Sequence, residues 1–210
     1  MIKRFSDYNE TKAYGTYERL PKGGYVMDIK KAEVGGFEKV NGKNNWVNHK
    51  NDVIRVFADI YEGEQIKFFE REYKNQQSED KVWHGVYYLN IPTDDGSEQD
   101  GWTKRRFKTF TEALEDSNEG YHFDWDEQRF KGMLIGGLFN EREYQSQKGD
   151  IRKATNWAGV IAVDKIRSGD YTLPNDRLLD RGYNQPSAPV TDSKGFMDIP
   201  DGVDEELPFK

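Results

Sequence analysis

Three short stretches of the chain set aromatic rings among cations. Trp46 stands between Lys43 and Lys50 with Arg55 just beyond, Phe69 and Tyr73 alternate with Lys67 and Arg71, and Trp157 follows Arg152 and Lys153. A flat ring stacks on another flat ring, and a Lys or Arg pairs with phosphate. The interleaving therefore suits a polymer that offers exposed π-faces and one negative charge per unit. Single-stranded nucleic acid is such a polymer, and stacking contributes about 1–3 kcal/mol per base. A single aromatic in a β-rich protein is more often core than platform, and Phe57 and Phe139 are expected in the core. Trp46, in a polar stretch, is the strongest platform.

Catalytic chemistry has less to work with. His49, His84 and His122 are the only histidines, and none has a partner at metal-site spacing. Asp124, Asp126 and Glu127 could join a Mg²⁺-dependent nuclease site, but no second carboxylate cluster with a neighbouring Lys accompanies them, and a solvated acidic turn is the simpler reading. The absence of Cys excludes disulfides, thiol catalysis and cysteine-ligated zinc. No phosphate loop, Ser nucleophile elbow or dinucleotide fingerprint occurs. The expectation is a binding protein without catalysis, metal or cofactor.

The end of the sequence carries a different pattern. Asp204, Glu205 and Glu206 precede Leu207, Pro208 and Phe209, so charge and apolar residues are segregated in order. The acids keep such a segment solvated, and three apolar residues are too few for a core. Pro208 restricts its own backbone and that of Leu207, which lowers the entropy lost when Phe209 enters a pocket on another protein. Lys210 follows Phe209, so the terminal carboxylate lies one residue beyond the ring.

The 210 residues can hold one large domain or two small ones, and the 14% aromatic content against 35% hydrophobic suggests a small β-rich core with rings left for a working surface. The net charge of −7 argues at first against a polyanionic partner. Beyond Asn184, however, Asp192, Asp198, Asp201, Asp204, Glu205 and Glu206 stand against only Lys194 and Lys210, which accounts for more than half of that charge. The nearly balanced remainder can carry a local basic groove. The amino terminus has no long apolar run and nothing later approaches a membrane span, so a cytosolic location is expected.

The elements that must position these residues follow from the apolar pattern. Residues 1–20 suggest a partly ordered arm, Tyr25 to Val34 a strand ended by Gly35-Gly36, and Phe37 to Asp52 a long basic loop. Asp52 to Tyr61 is the clearest strand, and Gln65 to Tyr73 alternates as its hairpin partner. Val82 to Ile91 returns to β structure. Thr103 to Ser117 is helical in period, with basic residues in its first turns and acidic ones in its last, the reverse of what the helix dipole favours. Phe130 to Tyr144 and Ile151 to Val163 are two further strands, the first bent at Gly132, Gly136 and Gly137, and Asp164 to Gly169 is a helical turn. Residues 184–210 read as a flexible acidic tail following a domain of residues 1–183.

That order has no βαβ alternation and fits a five-stranded Greek-key barrel of the OB type, with one helix between the third and fourth strands. Such barrels hold oligonucleotides on an open face. Two resemblances point the same way. The ending Asp204 to Phe209 resembles the acidic tip of bacterial-type single-stranded DNA-binding proteins, which implies recruitment of partner proteins. Gly132 to Tyr144, the strand with Trp157, the turn Asp164 to Asp170 and the opening Leu20 to Tyr25 resemble phage replication-associated proteins that bind single-stranded DNA. This second resemblance implies an OB fold, coating of single-stranded DNA and a replication or recombination setting in the host cytoplasm, with a homo-oligomer as one possible form. A metal-dependent nuclease or recombination enzyme and a purely protein-binding phage adaptor are the alternatives.

Overall fold

The computed structural model describes residues 18–146 and 148–179. Its framework is one long strand, Gly23–Val40 (β1), which serves two neighbours in succession. A bulge between Ile29 and Lys31 bends it. The first part, Gly23 to Asp28, pairs with Leu134–Gln145 (β5), and the stretch from Met27 to Gly35 pairs with Val53–Ile60 (β3). The end of β1 folds into a hairpin with Lys43–Val47 (β2). Val86–Asn90 (β4) extends the sheet beyond β3, and Ile151–Ile161 (β6) extends it beyond β5. Every strand pair is antiparallel, and the order β4-β3-β1-β5-β6 does not close by hydrogen bonds among the described residues.

Side chains bring the two ends of that sheet together. Tyr87 of β4 and Trp157 of β6 have ring centroids 5.3 Å apart, and Trp157 stacks on Phe139 of β5 at 5.5 Å. Phe139 in turn stacks on Phe69 at 6.2 Å, while Tyr87 stacks on Phe110 of the helix Glu98–Ser117 (α2) at 5.8 Å. This run of five buried rings crosses the core from α2 through three strands to a second helix, Phe68–Asn75 (α1). Aromatic pairs of this kind contribute about 0.5–1.5 kcal/mol each beyond their burial. A short third helix, Val163–Ser168 (α3), follows β6.

Several elements differ from the sequence expectation, each for a visible reason. The stretch from Gln65 to Tyr73 is not a strand, because Asp59 reaches from β3 to accept hydrogen bonds from the N–H groups of Phe69 (2.9 Å) and Glu70 (3.0 Å). These caps start α1, although its own preceding residue, Lys67, is left-handed and offers no side-chain cap. The strand Tyr25 to Val34 continues through Gly35-Gly36 into β1's hairpin, so the expected basic loop from Phe37 to Asp52 is largely paired. Phe130 lies in the 3-10 turn Glu127–Phe130 and not in β5. The helix α2 begins five residues earlier than Thr103, where Ser97 caps the N–H of Asp100 at 3.0 Å. Glu98 and Asp100 occupy its first turn, so the dipole is met by acids after all. Asp100 also accepts from the N–H groups of Thr93 and Asp94, and the Lys104 ammonium beside it holds its carboxyl below the ordinary value.

Asp59 is 1% exposed, and its removal would leave the buried Phe69 N–H and the half-buried Glu70 N–H without their acceptor. Asp59→Ala is expected to cost at least about 2 kcal/mol of stability, seen as a shift of the denaturant midpoint. An unchanged midpoint would mean that α1 does not depend on this cap. No helix among the described residues is long and apolar enough to cross a membrane.

Candidate nucleic-acid interface

Alternation along the strands sorts their side chains between two faces. Ala32 of β1, Ile54 and Val56 of β3, and Tyr87 and Leu89 of β4 point into the core. Their neighbours Lys31, Glu33 and Phe37, Arg55 and Phe57, and Tyr88 are only partly covered and share the outer face. The β1–β2 hairpin adds Trp46, directly opposite Phe37 in register.

The resulting cluster is continuous. Trp46 meets Phe37 edge to face at 5.3 Å, and Phe37 lies 5.9 Å from Tyr88. The Arg55 guanidinium sits 3.8 Å from the Trp46 ring centroid and 5.3 Å from that of Phe57, and Lys31 Nζ lies 4.4 Å from Phe57. A Cβ at Gly35 would overlap the six-membered ring of Trp46, so the glycine gives the indole its seat against the sheet. Trp46 Nε1 donates to Asn48 at 2.7 Å, which fixes the ring's orientation.

Glu33 stands among these cations. Its Oε1 accepts from Lys31 Nζ at 2.8 Å and its Oε2 from Arg55 Nη2 at 2.7 Å. Burial pushes the Glu33 carboxyl up, but hydrogen bonds and charge from Lys31 and Arg55 outweigh it and hold the group below the ordinary value. At neutral pH Glu33 is therefore ionised. Rings, two cations and one anion thus form a partly exposed surface that can stack a planar group and exchange one anion for another.

The residues expected from sequence to bind divide by location. Trp46 and Arg55 belong to the cluster. Lys50 lies beside it, donating to the Phe37 carbonyl at 2.9 Å, with Glu38 at 3.9 Å. Lys43 begins β2, where alternation gives it the opposite face of the hairpin from Trp46. Lys67, Arg71 and Tyr73 lie on or beside α1, at the other end of β3. There Arg71 pairs with Glu18 at 3.8 Å, and Tyr73 packs on Trp83 at 5.9 Å with Lys81 nearby. Arg152 and Lys153 are exposed at the start of β6, the latter 3.2 Å from Glu141.

Two expected platforms are corrected. Phe69 is 6% exposed and Trp157 7%, both within the aromatic run of the core, so neither ring face is open to a base. Conversely, Phe57 is not core: the alternation that buries Val56 and Ala58 turns it outward beside Arg55. Phe139 is buried as expected. Phe37, Tyr88, Lys31 and Glu33 were missed altogether. The signal available was the spacing Lys31-x-Glu33 and Arg55-x-Phe57, which marks one side of a strand.

The acidic turn is held by its own contacts. Asp124 pairs with Arg129, Asp126 accepts from the N–H of Gln128, and Glu127 accepts from the Gln128 side chain. Between them Trp125 is 78% exposed, in a left-handed backbone conformation, with its ring stacked on Phe107. No group of three or more His, Asp or Glu residues that could hold a metal ion occurs among the described residues. The docking sequence Asp204, Glu205, Glu206, Leu207, Pro208 and Phe209 lies outside the described residues.

A scan against protein-family models found no match, and a search of curated proteins found no significant one.

Proposed function

We propose that the chain binds single-stranded DNA without sequence preference across the outer face of β1, β3 and β4, on an OB-type barrel. The observation that carries this reading is the continuous surface of Phe37, Trp46, Tyr88 and Phe57 interleaved with Arg55 and Lys31. Rings of this kind stack on any base, and the cations meet the phosphates between bases. No pattern of base-edge donors and acceptors is needed, so sequence tolerance follows.

The barrel assignment is supported by strand order. The five main strands run third, second, first, fourth, fifth when counted without the β2 hairpin, with α2 between the third and fourth and with Tyr87 and Trp157 joining the outermost two. Lys50, Arg152 and Lys153 are proposed as further phosphate contacts, and Lys43 as one that a strand meets only if it passes over the edge of the hairpin. The sequence from Asp204 to Phe209 is proposed to recruit partner proteins, and the chain is proposed to act in DNA replication or recombination. A protein-binding adaptor has one observation in its favour, the exposed Trp125 among Asp124, Asp126 and Glu127.

Fluorescence anisotropy of labelled oligo-dT, repeated at several salt concentrations and against duplex competitor, tests the proposal. The expected result is binding that resists duplex and weakens with salt, at a log–log slope of about −0.7 per phosphate neutralised. Absence of salt-dependent binding would overturn it.

A further inference from the structure

Glu33 lies at the centre of the proposed interface, where an acid should weaken binding to a polyanion. Its geometry gives a reason for its presence. In the register of β1 with β3, Glu33 is directly opposite Arg55, and each of its carboxylate oxygens serves a different cation at 2.7–2.8 Å. A phosphodiester offers the same arrangement, two non-bridging oxygens carrying one negative charge between them.

We propose that Glu33 is an internal stand-in for a backbone phosphate. It holds the anion seat between Lys31 and Arg55 until a nucleic-acid phosphate takes that seat, and so sets how tightly the face grips a strand. This rests on the reading of the face as a single-strand interface.

Two features make the exchange workable. The seat is open enough for a strand to enter: the Glu33 side chain is 34% exposed and that of Lys31 55%. In addition, Arg55 Nε is buried without a hydrogen-bond partner, so the position in which Glu33 holds the guanidinium leaves one donor unspent. Moving toward a phosphate gives that donor an acceptor. An incoming phosphate must nevertheless break two charge-assisted hydrogen bonds before it forms its own, and contact with the seat alone yields little net gain. A ligand that also stacks on Trp46 and Phe37 does gain. Glu33 thus makes binding conditional on bases as well as charge.

The test compares wild-type protein with Glu33→Gln and with Glu112→Gln, using anisotropy of fluorescein-labelled dT20 over a salt series. Glu112 pairs with Lys108 on α2 at 2.9 Å and serves as a control for the loss of one negative charge elsewhere. E33Q is expected to bind about fivefold tighter at low salt, with a salt slope steeper by about 0.7, because the seat between Lys31 and Arg55 is freed for one phosphate. E112Q should stay within about twofold of wild type, as expected for a surface charge. Binding by wild type with E33Q no tighter than E112Q would overturn the proposal and leave the interface reading standing. Failure of all three proteins to bind would overturn both. A second measurement avoids dependence on any variant's folding: the Arg55 Nε–Hε resonance of the wild-type protein should shift on adding dT20, and a stationary resonance with other signals moving would overturn the exchange.

Discussion

Trp46→Ala is expected to lower affinity for oligo-dT by about tenfold to a hundredfold and to leave the melting temperature nearly unchanged. One stacked base contributes about 1–3 kcal/mol, which sets the size of the loss. The small effect on stability follows from where Trp46 sits. The strand β2 pairs only with the end of β1, off the main path of the sheet, and the Trp46 ring packs outside the core against Gly35, Phe37 and Arg55. Its loss removes those contacts and leaves no cavity in the aromatic run. Anisotropy titration together with a thermal melt checks both halves. If the variant melts well below wild type, the ring is a structural cover and not a platform.

Trp157→Ala gives the opposite pattern. Deleting a buried Trp costs about 3–5 kcal/mol, and here the cost falls on the joint between the two ends of the sheet. Trp157 contacts Tyr87 of β4 and Phe139 of β5, and its Nε1 donates to the Gly159 carbonyl at 2.9 Å. The Gly137 backbone passes so close beneath that an added Cβ would lie 3.0 Å from Nε1. The melting temperature should fall by on the order of 10 °C for a chain of this size. Any loss of DNA binding should track the loss of folded protein. A stable variant with weakened binding would instead restore Trp157 to the surface role that its neighbours Arg152 and Lys153 suggest in the sequence.

These two tryptophans show how far the sequence could be read. Both follow basic residues, and composition alone does not separate them. Strand alternation does so only once register is known, because one residue of slip exchanges the two faces. The strand β3 was legible from its β-branched run and the body of α2 from its period, whereas the Ser97 cap that starts α2 five residues before Thr103 was not read. The helix α1 was not legible: its cap is Asp59, ten residues before Phe69, and a local window contains no such partner. The pair Gly35-Gly36 misled for a related reason. Glycine there does not end a strand but admits Trp46 of the hairpin over Gly35, and Lys50 and Asp52 of the connection to β3 against Gly36, all of them groups from a stretch that the sequence shows only as polar loop.

The chemistry of the interface was partly legible. Trp46 and Arg55 were visible as an aromatic and a cation in the right company, and their contact at 3.8 Å joins them in one surface. Phe57 was hidden because an apolar residue in a strand reads as core until its side is assigned, Tyr88 because the side of its strand was not assigned, and Phe37 because the strand that holds it reads as a loop from that residue on. Glu33 was hidden because an acid in a basic surface has no meaning until the two cations around it are seen.

A single strand is proposed to lie across Phe37, Trp46, Phe57 and Tyr88. Ultraviolet cross-linking of the protein to dT20, followed by mass spectrometric identification of the modified residues, tests it most directly. Trp125 is a built-in comparison, since at 78% it is the most exposed large hydrophobic residue described and stands among acids. Thymine adducts are expected on the outer-face rings, Trp46 foremost, and are expected to be lost at high salt. Adducts on Trp125 with none on Phe37, Trp46, Phe57 or Tyr88 would contradict that placement of the strand.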